Sequence, residues 1–416
     1  MDATEHIDPN DPEAPVHRIA APPPAPADVR EVLRGVIDPE LRADVVELDM
    51  IRDIKVGTDG SVAVGVALTT LGCPLRAQIK AEVESKIGGM PGVTNVAVSY
   101  SEMTQEQKSF AMQRARLNAR ADAPDTEVPA TTRVLAVASG KGGVGKSSVT
   151  VNLATALAAQ GRTVGVLDAD IWGFSVPRML GVDGRLAGTE GMIHPTERTV
   201  ANFDDPDGPD GRLKIVSMGL LVDHEGTALM WRGLILAKAV EEFLVKVRWG
   251  DMDYLLIDMP PGTGDIQMAL ARLLPQAEML VVTTPALAAQ KVAVRVADMA
   301  RRSYMKVAGV VENMTAFVTP SGESFALFGS GGGAALAQEI EALLIGEVPL
   351  EPAVSEGGDT GRPVVISTPD SPAAQAFRAL ARRISTDVLP PIEMAGCTAR
   401  IFETAAANLA AKRATG

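Results

Sequence analysis

Two lysines and a hydroxyl set in a run of glycines are the residues of this chain whose spacing most plainly does chemistry. From Val134 to Thr150 it reads VLAVASGKGGVGKSSVT: an apolar strand, a glycine-rich turn and the start of a helix. Gly140, Gly145, Lys146 and Ser147 meet each fixed position of G-x-x-x-x-G-K-[ST], with Lys141, Gly142, Gly143 and Val144 between them. Glycines let backbone N–H groups turn inward and approach phosphate oxygens. The helix that follows offers its positive end to the same anion. In such a loop Lys146 reaches the β- and γ-phosphates and the Ser147 hydroxyl ligates Mg2+, with Ser148 completing the binding residues. A glycine-rich turn without a ligand is the plain alternative. The strand before and the helix after are what the phosphate loop requires.

Carboxylates follow at the ends of apolar runs. VGVLDADIWG puts Asp168 and Asp170 at the carboxyl end of a strand, where open α/β sheets bind ligands. Together they can organise Mg2+ and orient a water; alternatively they cap the next segment. YLLIDMPPGTGD puts Asp258 after four apolar residues, the pattern of a carboxylate that holds a Mg2+ shell. The backbone N–H of Gly262, in the turn beyond, is a candidate γ-phosphate contact that would make this a switch loop.

These side chains need a sheet to carry them. From 133 to 385 strands alternate with helices, which predicts an α/β phosphate-loop domain built on a doubly wound, mostly parallel sheet. Strands are expected at 133–139, 163–168, 213–217, 253–258, 278–284 and 306–311. The helix VTVNLATALAAQ stops at Gly161, a good C-terminal cap. Ahead of this domain, 27–110 reads as a small α+β domain: a helix DVREVLRGVI, strands in VVELDMIRDIKV and SVAVGVALTT, a helix near Leu75–Ile87 and a strand around Val93–Ser99. Residues 1–26 read as a disordered Pro-rich tail, 111–132 as a linker that starts helical, and 386–416 as a tail with an Ala-rich helical stretch.

Composition narrows the function classes. A net charge of −13 argues against a general binder of nucleic acid or anionic membranes. No apolar run is long enough to span a bilayer, and MDATEHIDPNDPEAP lacks the shape of a signal peptide, so a cytoplasmic protein is expected. Cys73 and Cys397 are the two cysteines, which implies no disulfide framework and limits any metal cluster.

The loop KGGVGKSS, the segments DADIWGFSVPRMLG, SMG, WRG, IDMPPGTGD and ENM, and EVPLEPAVSEGGDTGRP occur in an order that resembles the Mrp/ApbC family of ATP-hydrolysing iron–sulfur cluster carriers. The DPEL…GCP pattern resembles the small domain fused to many of them. Lys141 resembles the extra lysine of the deviant phosphate loop shared with the MinD/ParA class. The resemblance implies a homodimer that sandwiches ATP, with Lys141 crossing to the partner's nucleotide. It implies that Asp170 positions the attacking water, that Asp168 lies near the Mg2+ shell, and that Asn313 meets the adenine edge. A strand-end asparagine is otherwise a turn residue. Iron–sulfur client apoproteins would be the partners, with neither nucleic acid nor membrane.

One departure from the pattern is serious. The family carries Cys-x-x-Cys after ENM; here Thr319 stands in the first cysteine position and no cysteine falls between Cys73 and Cys397. A hydroxyl does not replace a thiolate on iron. Cys73, in Gly72-Cys73-Pro74, is the remaining candidate cluster ligand, against the plain reading of a small buried apolar residue. Two functions therefore stay open. One is an ATPase that delivers iron–sulfur clusters; the other is a MinD/ParA-like dimerisation switch without cluster cargo.

Overall fold

The computed structural model describes residues 21–38, 41, 43–69, 76–121, 123–170, 173–221, 233–262, 264–319, 321 and 323–392. Cys73, Cys397, Trp231 and Arg232 lie outside them. The chain divides into two compact units, Met1–Asn118 and Ala119–Gly416.

In the first unit α1 (Pro26–Leu33) precedes two short strands, β1 (Ile37–Asp38) and β2 (Ala43–Asp44). A sheet follows, made of β3 (Ile51–Val56), β4 (Ser61–Leu68) and β5 (Asn95–Glu102), with α2 (Arg76–Gly88) between the last two. β3 and β4 are antiparallel, while β4 and β5 are parallel and use α2 as the crossover that a parallel pair needs. Val62, Val64, Val66 and Leu68 alternate into the core beside Val29, Leu33, Ile79 and Val83. The strand expected in VVELDMIRDIKV is shorter than its apolar pattern suggests. Asp44 accepts the backbone N–H groups of Val46 and Glu47 at 2.9 and 2.7 Å, turning the chain before β3 begins. α3 (Gln105–Ala121) then runs through the first half of the expected linker.

The second unit is built on a sheet of nine strands. In chain order its elements begin with β6 (Arg133–Ser139), α4 (Lys146–Ala158), β7 (Thr163–Asp168) and α5 (Val176–Met179). A hairpin, β8 (Ala187–Thr189) and β9 (Met192–His194), leads to β10 (Thr196–Val200) and β11 (Gly211–Ser217). Then come α6 (Gly233–Lys246), β12 (Tyr254–Asp258), α7 (Asp265–Leu273), β13 (Glu278–Thr283), α8 (Leu287–Arg302) and β14 (Lys306–Val318). The chain continues through β15 (Ser324–Phe325), α9 (Gly332–Glu339), β16 (Leu344–Leu350), α10 (Pro352–Asp359), α11 (Val364–Ser367) and α12 (Pro372–Arg383). The sheet order is β10-β11-β7-β12-β6-β13-β14-β15, with β16 also on β14. The six expected strands are all present and all parallel to their neighbours among themselves. β10 and β15 add antiparallel pairs, and β10, β15, β16 and the β8–β9 hairpin are strands the sequence reading did not contain.

Helices cover both faces, as a buried parallel sheet requires. Helix α4 is enclosed along most of its length: Val149, Val151, Leu153, Ala154, Ala156 and Leu157 are buried, and the buried polar side chains of Thr150, Asn152 and Thr155 bond to carbonyls one turn back. Helix α12 packs on it through Ala373, Ala374, Phe377 and Leu380. That helix is well terminated: the Ser371 hydroxyl caps the Ala374 N–H at 3.2 Å, Pro372 opens the first turn, and Arg382 and Arg383 close the last. Gly161 takes a left-handed φ of 77° just past α4. No helix among the described residues is long and apolar enough to cross a membrane.

Candidate functional site

Strand register places the site. Along the carboxyl edge of the sheet, Ser217 of β11 is level with Asp168 of β7, and Asp168 is level with Asp258 of β12. Beside them β6 ends and the phosphate loop turns into α4. Three glycines of the loop have three different reasons to be glycine. At Gly140 a Cβ would lie 2.5 Å from the Ala293 nitrogen of α8, so the first glycine is required by packing. Gly143 sits at φ 83° and faces open space, where a phosphate could approach. Gly145 sits at φ 79° and would press a Cβ onto the amide nitrogen of Asn313.

Lys146, Ser147, Asp168, Asp170 and Asp258 are brought together. The Asp258 carboxylate, fully buried, accepts from Lys146 Nζ at 2.8 Å and from Ser147 Oγ at 2.5 Å. It also accepts from Thr150 Oγ1 at 2.9 Å. Lys146 Nζ lies 3.6 Å from Asp170 Oδ2. Asp168 is held by the backbone N–H groups of Asp170, Ser175 and Val176, each at 3.2 Å, and by the Ser217 hydroxyl at 3.1 Å. Burial, and then the charge of Asp258, push the Asp168 carboxyl up to about 7, against the pull of Lys146. Burial likewise raises Asp170, with Lys146 opposing.

A cavity of about 310 Å3 opens over this cluster, with the loop from Lys141 to Ser148 as one wall and Asp170 among its lining. Asp168 and Asp258 lie beneath it rather than in its lining. Lys141 is exposed at the loop tip. The opposite wall was not singled out from the sequence. It comprises Arg178 and Met179 of α5 and Val354, Ser355, Gly358 and Asp359 of α10. These residues fall inside the segments DADIWGFSVPRMLG and EVPLEPAVSEGGDTGRP, but nothing in their types said that they would face the loop. Arg198 of β10 holds this wall together, donating to the carbonyls of Leu180 and Gly361.

Two expected nucleotide contacts are occupied by the protein itself here. The Gly262 N–H donates to the Ser139 carbonyl at 2.9 Å, tying the switch loop to the end of β6. The Asn313 amide nitrogen, buried, donates to the Val144 carbonyl at 2.9 Å and so braces the phosphate loop from behind. The Thr319 hydroxyl is exposed, 2.8 Å from Ser321 Oγ, and accepts the Glu323 N–H at 3.1 Å. Among the described residues no group of three or more His, Cys, Asp or Glu side chains is placed to hold a metal ion.

Comparison with known proteins places the chain in a family. The model of a family described as NUBPL iron-transfer P-loop NTPase matches residues 130–385. The chain belongs to that family. A second model, described as iron–sulfur cluster assembly protein, matches residues 26–99 of this NUBPL-type P-loop NTPase. An iron–sulfur cluster carrier protein of Mycobacterium tuberculosis (strain ATCC 25618 / H37Rv) is 42% identical over 367 residues, covering 86% of this chain and 93% of that protein. One from Synechocystis sp. is 41% identical over 363 residues, covering 86% and 97%. A solved nucleotide-binding protein from Archaeoglobus fulgidus, in complex with ADP, is 33% identical over 59% of this chain and 91% of that chain, with a TM-score of 0.46.

Proposed function

We propose that this chain is a Mg2+-dependent ATPase that carries iron–sulfur clusters to apoproteins and works as a homodimer around ATP. The observation that carries the reading is the convergence of Lys146 and Ser147 on Asp258 beneath a glycine loop that opens to a cavity. The residues from Gly140 to Ser148 receive the phosphates, and Lys146 exchanges Asp258 for the β- and γ-phosphates. Asn313 meets the adenine edge through what remains of its amide capacity. Gly262 swings from Ser139 to the γ-phosphate. Asp170, beside the cavity, orients the attacking water. Lys141 of each copy neutralises charge on the other's nucleotide.

The site suits Mg2+ on its own chemistry. Its donors are hard oxygens, and the Lys146 ammonium already stands between the Asp258 and Asp170 carboxylates as a cation in their midst. Ser147, Asp258 and Asp168 would hold the ion, directly or through water. When bound, it supplies charge neutralisation to the phosphates.

The cluster is cargo. Relatives bearing the name of carrier cover most of this chain, which supports that assignment. Cys73 is the thiolate we assign to it, and a cytoplasmic setting suits a chain with two cysteines in 416 residues. One observation favours the second reading, a dimerisation switch without cargo: Thr319 in place of the first cysteine after ENM.

The test is anaerobic reconstitution with iron and sulfide counted per chain, alongside ATP hydrolysis. Wild type is expected to hold a defined cluster that Cys73→Ala loses. Asp258→Asn is expected to lower hydrolysis by about 100-fold or more. Iron at background level in wild type, with hydrolysis intact, would leave the switch as the function.

A further inference from the structure

Thr150 belongs to no motif position of the phosphate loop, yet its hydroxyl is in the middle of the site. The residue is fully buried on α4, one turn beyond Lys146 and Ser147. Its neighbours in sequence, Val149 and Val151, are apolar and buried. A hydroxyl in such surroundings destabilises the fold unless it is hydrogen-bonded. Here Oγ1 lies 2.9 Å from Asp258 Oδ1 and 3.0 Å from the Lys146 carbonyl. A hydroxyl carries one hydrogen, so it serves one of these acceptors at a time. The carbonyl four residues back is the usual resting partner of a helical threonine. That bond also sets the rotamer that aims Oγ1 at Asp258.

The other two side-chain donors to Asp258 differ from Thr150 in one respect. Lys146 and Ser147 both line the cavity, and Thr150 does not. On the nucleotide reading above, on which this inference rests, ligand draws Lys146 to phosphate and Ser147 to the metal. Asp258 then loses two of its three donors at the moment its orientation matters most. We propose that Thr150 is the positioning residue that keeps the Asp258 carboxylate aimed at the Mg2+ site once nucleotide has recruited Lys146 and Ser147. When the hydroxyl turns its hydrogen from the Lys146 carbonyl to Asp258, Oδ1 keeps a donor, so Oδ2 stays turned towards Ser147 and the ion. A neutral donor suits the task, because a second ammonium there would compete with the metal for the carboxylate.

The test uses the full chain as wild type, Thr150→Val, Thr150→Ala and Thr150→Ser, titrated with fluorescently labelled ADP. Each is measured first in excess EDTA and then across a Mg2+ series. In EDTA all four are expected to bind ADP alike, which also reports that the variants are folded. In the Mg2+ series, Thr150→Val and Thr150→Ala are expected to need about ten-fold more Mg2+ for half-maximal tightening, since a hydrogen bond to a charged group has been lost. Thr150→Ser keeps the hydroxyl and should follow the wild type. An unshifted Mg2+ response in Thr150→Val and Thr150→Ala would overturn the proposal. So would a shift in only one of them, because that would report packing rather than the hydroxyl. Failure of the wild type to bind ADP at all would overturn the nucleotide site itself, and the same titration reveals it.

Discussion

At the scale of residues, the site is a set of short polar contacts that the protein makes with itself. Lys146 pairs with Asp258, Gly262 with Ser139, and Asn313 with Val144. A buried ammonium and carboxylate left without partners would be costly, so the pairing offsets that cost. Gly145 is the most constrained of these positions. Its φ of 79° is left-handed, and a side chain there would meet Asn313. Gly145→Ala is expected to lower unfolding free energy by about 2 kcal/mol or more, read from denaturant midpoints. Gly142→Ala, where a Cβ would meet nothing within 4 Å and φ is not left-handed, should leave the midpoint close to wild type.

At the scale of elements, β14 links the phosphate loop to the rest of the sheet. Asn313 braces the loop, while its neighbour Glu312 turns to the other side and accepts the Gly333 N–H at the start of α9. Burial holds the Glu312 carboxyl above its ordinary range; the Gly333 bond opposes this, and Glu347 adds to it. A raised carboxyl pKa has a definite sign. The stability linked to this group is full below the pKa of the unfolded chain and is lost as pH rises through the higher folded value. Glu312→Gln keeps the acceptor for Gly333 but cannot ionise. Its thermal midpoint is therefore expected to gain on wild type as pH rises from 5 to 8. An equal difference at both ends of that range would count against this account.

At the scale of the whole molecule, the contrast between two lysines of one loop matters most. Lys146 is buried and paired within its own chain, whereas Lys141 is exposed, with no ion pair among the described residues. An exposed lysine at the loop tip has the reach that the proposed crossing to a second copy needs. Lys141→Ala is expected to bind labelled ADP as wild type does, yet to lose ATP-dependent self-association in sedimentation velocity. ATP-dependent dimers of Lys141→Ala that match those of wild type would refute the proposed crossing lysine.

Much of this molecule was legible in one dimension because its signals are local. A phosphate loop is eight consecutive residues. A buried parallel strand is a short apolar run, and two of these runs, β7 and β12, end in a carboxylate, Asp168 and Asp258. Six strands and the residues Lys146, Ser147, Asp168, Asp170 and Asp258 follow from those signals. The first glycine shows the limit: the motif requires Gly140, but only packing on Ala293 says why. β10, the turn at Asp44 and the Arg178–Asp359 wall were not legible, since each depends on a partner far along the chain or on a side chain that bends its own backbone. Thr150 lay in plain view three residues past Ser147. Its role required knowing that β12 runs beside α4 and ends on Asp258. The sequence by itself determined the class of chemistry, because phosphate recognition is done by a contiguous backbone segment. Only the tertiary structure decided which groups hold that segment in place, because distant strands meet through register and packing, which no short stretch of sequence records.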